Sequence, residues 1–395
     1  MNLVLISNEE YPDQHAAAIR HSTLARGMVE LGHQVNFMLL SPQPWPKSEL
    51  NYHGVKFKTF NWHHETDKLL KVFNFYYGLQ KLRKRLIRLN NEEGIDAIIV
   101  FSIRIRIIRT VLDVAQKEFI PVFHERTELP YVFIKKHSLS DQIRYKQYLK
   151  KMVPRFDGIF VISDKLRDFF NPYNPNIEKI LTVVDTAFFD VRNDSDYDFP
   201  YLAYCGNMDG SKDGLEILLE AFSRMGDRYP DLKLLLIGDD SDERKKEKLF
   251  SVIEELNLEG KVFFTGQVER DEMPRLLGNA RLLVVAKPDN EQNSGNFPIK
   301  VGEYLATGVP VVLTSVGEIP LFIKDGETGF LAVPGSADSF HARMMGALSG
   351  YERAKEIGAK GRELAVQLFD YRKQASRMIE FIVRTVQNRN NEYKG

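Results

Sequence analysis

The sequence predicts an α/β protein built from two doubly wound, Rossmann-like domains. Strand-like apolar runs alternate with helical patterns along both halves, which is typical of parallel sheets covered by helices. A Pro- and Asn-rich stretch at 171–176 and a polar acidic run at 193–198 flank the change from one half to the other. With 395 residues, the chain is long enough to bury two cores. We therefore expect domains over residues 1–175 and 176–370, followed by a helix over 371–395.

The first half is expected to hold five strands, which are Leu3–Ile6, Gln34–Leu40, Ala97–Phe101, Ile120–Phe123 and Gly158–Ile162. A helix over about Ala16–Leu31 ends at Gly32, because glycine is suited to the residue after a helix. The apolar run at the N-terminus is too short for a signal peptide and lacks a basic leader. We interpret it as the first strand.

The second half is expected to hold five more strands, which are Tyr201–Cys205, Lys233–Ile237, Val262–Phe264, Leu282–Val285 and Val311–Leu313. A glycine-rich loop at 206–214 follows the first of them and precedes an amphipathic helix over Leu215–Phe222. Doubly wound folds bind phosphorylated ligands in loops at the carboxyl ends of parallel strands. This loop is therefore a candidate phosphate-binding segment.

The most informative segment, 296–313, is expected to form a loop, a short helix and a buried strand. Pro298 suits the first turn of the helix and Gly308 its end. The free N–H groups near Lys300 lie at the positive end of the helix dipole, where phosphate is favoured, and the lysine adds a full charge. Glu303, one turn further on, could accept two hydrogen bonds from a sugar diol. From spacing alone, an ordinary unit with solvent-facing Lys and Glu fits equally well.

The same segment resembles the donor-site motif of retaining glycosyltransferases of family 4, which have the GT-B fold. The shared pattern is Pro-x-Lys-x-x-Glu-Tyr-x-Ala-x-Gly-x-Pro-Val-Val, and the resemblance is strongest over about residues 201–335. It implies two Rossmann-like domains with a cleft between them, acceptor binding in the first and nucleotide-sugar binding in the second. It also implies that the helix over 371–395 crosses back to the N-terminal domain; a plain terminal helix on the second domain is the alternative.

The resemblance implies that Lys212 and Lys300 hold the donor diphosphate and that Glu303 holds the ribose. These three are the expected catalytic residues. The chain departs from the family pattern at two donor positions, with Asn207 in place of an arginine and Gly295 in place of a glutamate. The donor sugar is then expected to be held differently, by main-chain groups near Phe297 or by Glu291. The remaining expected donor-pocket residues are Gly206, Asn296, Pro298, Gly238 and Val268.

Five polar residues of the first half are candidates for acceptor or cleft contacts. His15 and Arg20 lie at the start of the first helix, and His124, Glu125 and Arg126 follow a predicted strand directly. An exposed polar role is an equal alternative for His15. No catalytic base is demanded, since in the retaining mechanism usually proposed for the resembled family the leaving diphosphate oxygen accepts the acceptor proton. The protein then mainly stabilises the charge of the departing phosphate.

Charge is distributed unevenly although the net charge is zero. Residues 1–170 carry 26 Lys+Arg against 18 Asp+Glu, and the rest carries 28 against 36. Lys68–Arg88 holds seven basic residues and no acid, and Lys135–Arg155 holds seven against one. With the aromatic residues among them, these segments favour contact with an anionic membrane surface and a lipid-diphosphate acceptor. A solvated helix face over a core stripe is the alternative.

The sequence also bears on other classes of protein. Two Asp-x-Asp sequences, at 194–196 and 240–242, are interpreted as solvated loops, so no metal and no cofactor beyond the nucleotide-sugar donor are expected. The loop after the first predicted strand of each half lacks the pattern Gly-x-Gly-x-x-Gly, which disfavours a nicotinamide enzyme. A non-catalytic partner with the same fold and a nucleotide-sugar epimerase remain alternative functions.

The single cysteine, Cys205, and the lack of a long apolar stretch favour a cytoplasmic protein. We expect no nucleic acid partner and at most a peripheral contact with the inner membrane surface.

Overall fold

The computed structural model describes residues 1–9, 16–40, 49–60, 68–130, 138–190, 197–208, 213–226, 228–238, 243–291, 293–295 and 297–392. The chain divides into two compact units. Unit 1 comprises Met1–Val183 and Tyr371–Gly395, and unit 2 comprises Val184–Asp370. The first boundary lies after the expected residue 175, because Ile177–Lys179 forms a strand of the first sheet.

In the described part of unit 1, eight strands form one sheet. They are β1 (Asn2–Ser7), β2 (Gln34–Leu39), β3 (Glu49–Tyr52), β4 (Val55–Thr59), β5 (Ala97–Val100), β6 (Val122–Arg126), β7 (Gly158–Val161) and β8 (Ile177–Lys179). Their order is β3-β4-β2-β1-β5-β6-β7-β8, and only the β3–β4 pair among them is antiparallel. The order reverses at β1 and β5, where doubly wound sheets open a crevice at the strand carboxyl ends.

Helices cover both faces of this sheet. The described helices of unit 1 are α1 (Ala16–Glu30), α2 (Lys68–Glu93), α3 (Ile105–Lys117), α4 (Leu139–Gln147), α5 (Asp164–Phe170) and α13 (Tyr371–Glu392). Side chains of α2, α3 and α5 join one core cluster, and those of α1 and α13 join the other. This division explains why β1 and β5 are apolar on both faces.

The last helix, α13, is an integral part of unit 1. The Tyr371 hydroxyl donates to Glu30 at 2.7 Å, and a Cβ on Gly27 of α1 would lie only 2.8 Å from the Cβ of Ala375. Further along α13, the Phe381 ring packs against those of Phe123 and Phe160, at centroid distances of 5.9 and 5.3 Å. The absence of a side chain at glycine thus allows α1 and α13 to approach closely.

In the described part of unit 2, six strands form a fully parallel sheet. They are β9 (Tyr201–Cys205), β10 (Lys233–Ile237), β11 (Val262–Gly266), β12 (Leu282–Val285), β13 (Val311–Thr314) and β14 (Phe330–Ala332), in the order β11-β10-β9-β12-β13-β14. The described helices are α6 (Leu215–Ser223), α7 (Glu243–Glu255), α8 (Met273–Gly278), α9 (Ile299–Thr307), α10 (Ile319–Phe322), α11 (Ala337–Ser349) and α12 (Tyr351–Leu368). This strand order is that of a dinucleotide-binding Rossmann sheet.

The sequence-based element prediction misses four strands and misplaces one. The short strands β3, β4, β8 and β14 were not expected, and β6 extends through Arg126 where it was expected to end at Phe123. The polar residues 124–126 favour a loop in the sequence, but in the structure they are buried in β6 and have internal partners. None of the described helices is long and apolar enough to cross a membrane.

Candidate functional site

The candidate site lies at the carboxyl edge of the sheet in unit 2. The strand order reverses at β9 and β12, and ligands of doubly wound sheets bind at such a point, outside the carboxyl ends of the strands. The segment after β9 carries Gly206 and Asp213, and the segment after β12 carries Lys287. Helix α9 brings Lys300 to the same place, as its contact with Asp213 shows. The topology therefore assembles charged side chains from three separate stretches of sequence.

Two glycines allow the loops after β9 and β10 to pack backbone against backbone. The N–H of Gly206 donates to the carbonyl of Ile237 at 2.8 Å. A Cβ on Gly238, whose φ is 143°, would lie 2.0 Å from the carbonyl oxygen of Gly206. A Cβ on Gly206 would in turn lie 2.2 Å from Nζ of Lys300. Both positions need glycine to leave room for neighbouring groups.

Lys300 lies in the first turn of α9, which begins after Pro298 and ends at Gly308 with a φ of 74°. Its Nζ is 2.5 Å from Oδ2 of Asp213 and 3.3 Å from the hydroxyl of Tyr204, over whose ring it also lies. The Lys300 side chain is 18% exposed, whereas that of Asp213 is 7% exposed. The ammonium is therefore the more accessible member of the pair.

Asp213 bridges two lysines. Its Oδ1 is 2.9 Å from Nζ of Lys287, which also donates to Oδ1 of Asn293 at 2.9 Å. Burial alone would raise the pKa of the Asp213 carboxyl, but the Lys300 and Lys287 ammoniums outweigh it and hold the pKa well below its usual range. The hydroxyl of Tyr204, which donates to Asp213 at 2.8 Å, has a pKa raised well above its usual value by burial. This cluster fixes the position of the Lys300 ammonium.

Glu303 forms an ion pair with Arg270 in which the carboxylate is buried and the guanidinium is half-buried. Its Oε1 is 2.7 Å from a guanidinium nitrogen of Arg270, and the two side chains are 9% and 23% exposed. The guanidinium of Arg270 lies over the rings of Phe188 and Phe189, at 5.1 and 5.3 Å from their centroids. Arg270 thus holds the carboxylate one turn of α9 away from Lys300. Together, the three cations and two carboxylates of the described site carry a formal charge of +1.

The backbone beneath the site is tied to α9 by a hydrogen bond. The N–H of Cys205 donates to the hydroxyl of Tyr304 at 2.6 Å. Burial raises the pKa of the Cys205 thiol to about 11, so this thiol is protonated near neutral pH. Cys205 ends β9, as its expected place in a buried strand implied.

The other expected donor residues take varied positions. Gly295 is buried, and Phe297 is 4% exposed and packs on the rings of Phe322 and Phe369. Asn207 is exposed, and its carbonyl oxygen lies 3.0 Å from the Tyr204 hydroxyl. Val268 is half-buried and Glu291 is exposed. The predictions for Lys212 and Asn296, like both Asp-x-Asp sequences, lie outside the described residues.

Four of the five candidate acceptor residues, Arg20, His124, Glu125 and Arg126, lie in the interior of unit 1. Arg20 donates to Glu125 at 3.0 Å and to the carbonyls of Ile180 and Leu181. His124 is 0% exposed, with its ring nitrogens 2.7 Å from the carbonyl of Val100 and 2.9 Å from the hydroxyl of Tyr148. These contacts link neighbouring segments of unit 1, which differs from the expectation that the residues face a ligand.

The ionisation of these residues agrees with a structural role. Burial lowers the pKa of His124 to about 3, so its imidazole is neutral near pH 7. Burial opposes the ionisation of Glu125, but Arg20 and His21 lower its pKa to about 2. Arg126 is 3% exposed and donates to the carbonyl of Glu128 at 3.1 Å. His15 lies outside the described residues.

Sequence reasoning missed Asp213, Lys287 and Arg270. A signal existed for Lys287, because it follows the apolar strand β12 by two residues, at the edge where ligands bind. Asp213 belongs to the expected glycine-rich loop, in which the sequence-based prediction names only Lys212 as a charged ligand. Arg270 lies in the charged run 269–272, and no local pattern distinguishes it from its neighbours.

Residues 186–364 match the family described as glycosyl transferases group 1. Sulfoquinovosyl transferase SQD2 of Arabidopsis thaliana is 28% identical over 162 residues, which are 40% of this chain and 29% of that protein. The lipopolysaccharide 1,2-N-acetylglucosaminetransferase of Salmonella typhimurium is 29% identical over 190 residues, which are 46% of this chain and 48% of that protein. The matches thus span less than half the length of these curated relatives.

Solved structures resemble nearly the whole chain. Sucrose-phosphate synthase from Thermosynechococcus elongatus superposes with a TM-score of 0.76 at 19% identity, covering 97% of this chain and 98% of that one. The Anabaena protein HepE in complex with UDP and glucose gives 0.74 at 15% identity, covering 97% and 100%. The fold is therefore GT-B, as predicted. The residues that match the glycosyl transferases group 1 family lie entirely within unit 2.

Proposed function

We propose that this protein is a glycosyltransferase that moves a sugar from a nucleotide-diphosphate sugar to a glycan or lipid-linked acceptor. The reaction proceeds with retention, as in family 4, and without a metal ion. It serves the synthesis of cell-surface polysaccharide or glycoconjugate, in the cytoplasm and at the inner membrane surface. The family match and the relatives that carry transferase names support the sugar-transfer part of this proposal.

The observation that carries the proposal is the placement of Lys300. Its ammonium lies in the first turn of α9, where backbone N–H groups and the helix dipole favour an anion. It is more exposed than Asp213 and Lys287 beneath it. A diphosphate can therefore contact Lys300, while the two buried residues keep the ammonium in place. A cation fixed in advance stabilises the negative charge that grows on the departing diphosphate.

Glu303 and Arg270 supply the second part of the donor site. A carboxylate held one turn from the phosphate position can accept hydrogen bonds from both hydroxyls of a ribose. Arg270 keeps this carboxylate oriented through the 2.7 Å ion pair. We propose Glu303 as the ribose ligand and Arg270 as its positioning residue.

The proposal is tested by assaying the purified chain with UDP-, GDP- and ADP-sugars for release of the nucleoside diphosphate. Lys300→Gln is expected to lower kcat/KM by about 10²–10³, as loss of one group that stabilises transition-state charge does. Lys324→Gln is the matched control, because this lysine of unit 2 has a 74% exposed side chain. Unchanged turnover in Lys300→Gln would overturn the assigned role.

The product distinguishes the proposed transferase from the two other functions. Retention requires that the anomeric configuration of the donor persists in the product, which NMR spectroscopy reads directly. A changed nucleotide sugar without release of nucleoside diphosphate identifies an epimerase instead. Nucleotide binding without turnover identifies a non-catalytic partner, a function that the departures at Asn207 and Gly295 favour.

A further inference from the structure

A cavity of about 570 Å³ lies in unit 1, where α2, α3 and α4 meet. Nine described residues line it, and five of them are basic: Lys71, Arg104, Arg106, Arg109 and Arg144. No carboxylate is among the described lining residues. The five charges come from three separate stretches, which the fold brings together next to the loop after β5. The cavity is thus suited to an anion.

The contacts of Arg144 and Arg106 neutralise little of the charge of these two side chains. Arg144 is 3.4 Å from Asp141, but both side chains are strongly exposed, and exposed pairs interact weakly. Arg106 lies over the Tyr76 ring, 4.7 Å from its centroid, which leaves its charge in place. Unit 1 as a whole carries 33 Lys+Arg against 21 Asp+Glu. The cavity therefore lies in a positive field that attracts anionic ligands.

A cluster of exposed apolar side chains lies beside the cavity. Fifteen large apolar side chains are exposed among the described residues, and six of them lie within nine residues of α2: Leu69, Leu70, Val72, Phe73, Tyr76 and Tyr77. Phe73 is 66% exposed and Leu69 is 80% exposed. Val72 belongs both to this exposed cluster and to the cavity lining. A contiguous exposed apolar patch marks a surface that contacts a partner or a membrane.

We propose that this cavity binds the phosphate head group of an anionic membrane lipid, while the exposed side chains of α2 enter the acyl region of the same leaflet. A soluble phosphate ester would account for the five cations but would leave the apolar cluster facing water. An anionic lipid matches both, because its phosphate is joined to an apolar chain. Basic and aromatic helical surfaces bind anionic bilayers through this combination of forces.

The inference rests on the proposed peripheral membrane location and names its residues and its ligand chemistry. It does not depend on sugar transfer, since the donor residues lie in unit 2. Vesicle binding is therefore measured without a nucleotide sugar, and transferase activity is measured with a soluble acceptor. Failure of one assay leaves the other unaffected.

The test is sedimentation of the full chain with phosphatidylcholine vesicles that contain or lack phosphatidylglycerol. Binding is expected only to the anionic vesicles and is expected to weaken as salt rises, because salt screens exposed charges. Lys71→Gln with Arg109→Gln is expected to weaken binding about 30-fold, since each basic residue near the surface contributes about fivefold. The control pair is Arg353→Gln with Lys360→Gln, which removes two exposed charges from α12 of unit 2.

Two further arms identify the source of the phosphate. Phe73→Ser is expected to weaken vesicle binding and to leave the melting temperature unchanged, because the side chain is exposed. Inorganic pyrophosphate is expected to compete only at concentrations well above those of the vesicle lipid. Equal binding by the Lys71/Arg109 variant and its control would overturn the proposal. Tight binding of pyrophosphate without vesicle binding would also overturn it, in favour of a soluble phosphate ester.

Discussion

At the scale of single residues, Asp213 decides the electrostatics of the candidate site. Its carboxylate contacts two ammoniums and a tyrosine hydroxyl, and its side chain is 7% exposed. A buried carboxylate is retained only where partners replace the water it has lost. Asp213 in turn holds the ammoniums of Lys287 and Lys300 in fixed positions. Of these two cations, Lys300 is the more accessible, because its side chain is 18% exposed and that of Lys287 is 2% exposed.

Asp213→Asn is expected to lower the free energy of unfolding of unit 2 by about 3–5 kcal/mol at pH 7, because it leaves two ammoniums uncompensated. The pKa of Asp213 is lower in the folded state than in the unfolded chain, where it is about 3.9. The carboxylate therefore contributes its full stability above that value and loses it as pH falls through the folded-state pKa. Denaturant unfolding of both proteins between pH 7 and pH 3 measures this difference.

The control for this change is Asp231→Asn, which alters an exposed aspartate in a turn of the same unit. It is expected to change stability by less than about 0.5 kcal/mol. A difference between wild type and Asp213→Asn that grew as the pH fell would contradict the assigned ion pairs.

At the scale of elements, α13 completes the core of unit 1. Phe381 is 2% exposed and packs on Phe123 and Phe160, above Gly158, where a Cβ would lie 2.6 Å from the ring. The glycine in β7 thus provides the space that the aromatic ring of α13 fills. This complementarity makes the helix a structural part of the unit that contains the N-terminal sheet.

Phe381→Ala is expected to lower the free energy of unfolding of unit 1 by about 3–5 kcal/mol, because it removes a buried ring and leaves a cavity. Val383→Ala on the same helix, at a side chain 36% exposed, is expected to cost less than about 1 kcal/mol. Thermal unfolding followed by circular dichroism compares the two variants. Equal effects would show that α13 does not pack on the sheet as described.

The sequence was sufficient for the long, strongly patterned elements and for the GT-B fold, which is confirmed. Apolar runs such as β9 and β12 can be recognised as strands from the sequence alone. The strands β3 and β8 are short, their apolar and polar residues alternate only weakly, and they are strands because neighbouring strands pair with them. The polar end of β6 was misplaced because burial of His124 and Glu125 depends on partners up to 105 residues away in sequence. No local pattern reveals such partners.

The candidate site was predicted in part for the same reason. Lys300 and Glu303 lie within one motif, so their spacing on α9 could be seen directly. Their partners Asp213 and Arg270 lie 87 and 33 residues away, in loops whose approach only the sheet order determines. The spacing of residues in the motif predicts the helix and the positions of Lys300 and Glu303 on it. It does not show that Lys300 pairs with Asp213 and Glu303 with Arg270.

At the scale of the whole molecule, the two units differ in charge as well as in expected ligand. Unit 1 carries 33 Lys+Arg against 21 Asp+Glu, and unit 2 carries 21 against 33. The two net charges of +12 and −12 cancel in the total, which explains how a chain with no net charge can have a strongly basic surface in one unit. Total charge is therefore a poor guide to its partners.

Because each unit has its own core, calorimetry is expected to resolve two unfolding transitions. A nucleoside diphosphate at about 100 times its Kd is expected to stabilise the unit that binds it by about 2.7 kcal/mol. The transition that the nucleotide raises should be the one that Asp213→Asn lowers, while Phe381→Ala should lower the other. A nucleotide that raised only the transition sensitive to Phe381→Ala would place the donor site in unit 1 and contradict the assignment.

The two-part composition of unit 1 has a consequence for biosynthesis. The ribosome makes residues 1–183 first and then all of unit 2, and only afterwards makes the helix over Tyr371–Glu392 that covers Phe123 and Phe160. The segment over residues 1–183 therefore waits, with part of an apolar sheet face uncovered, until a segment made much later arrives. During that interval the nascent chain offers chaperones a surface that the finished protein no longer exposes.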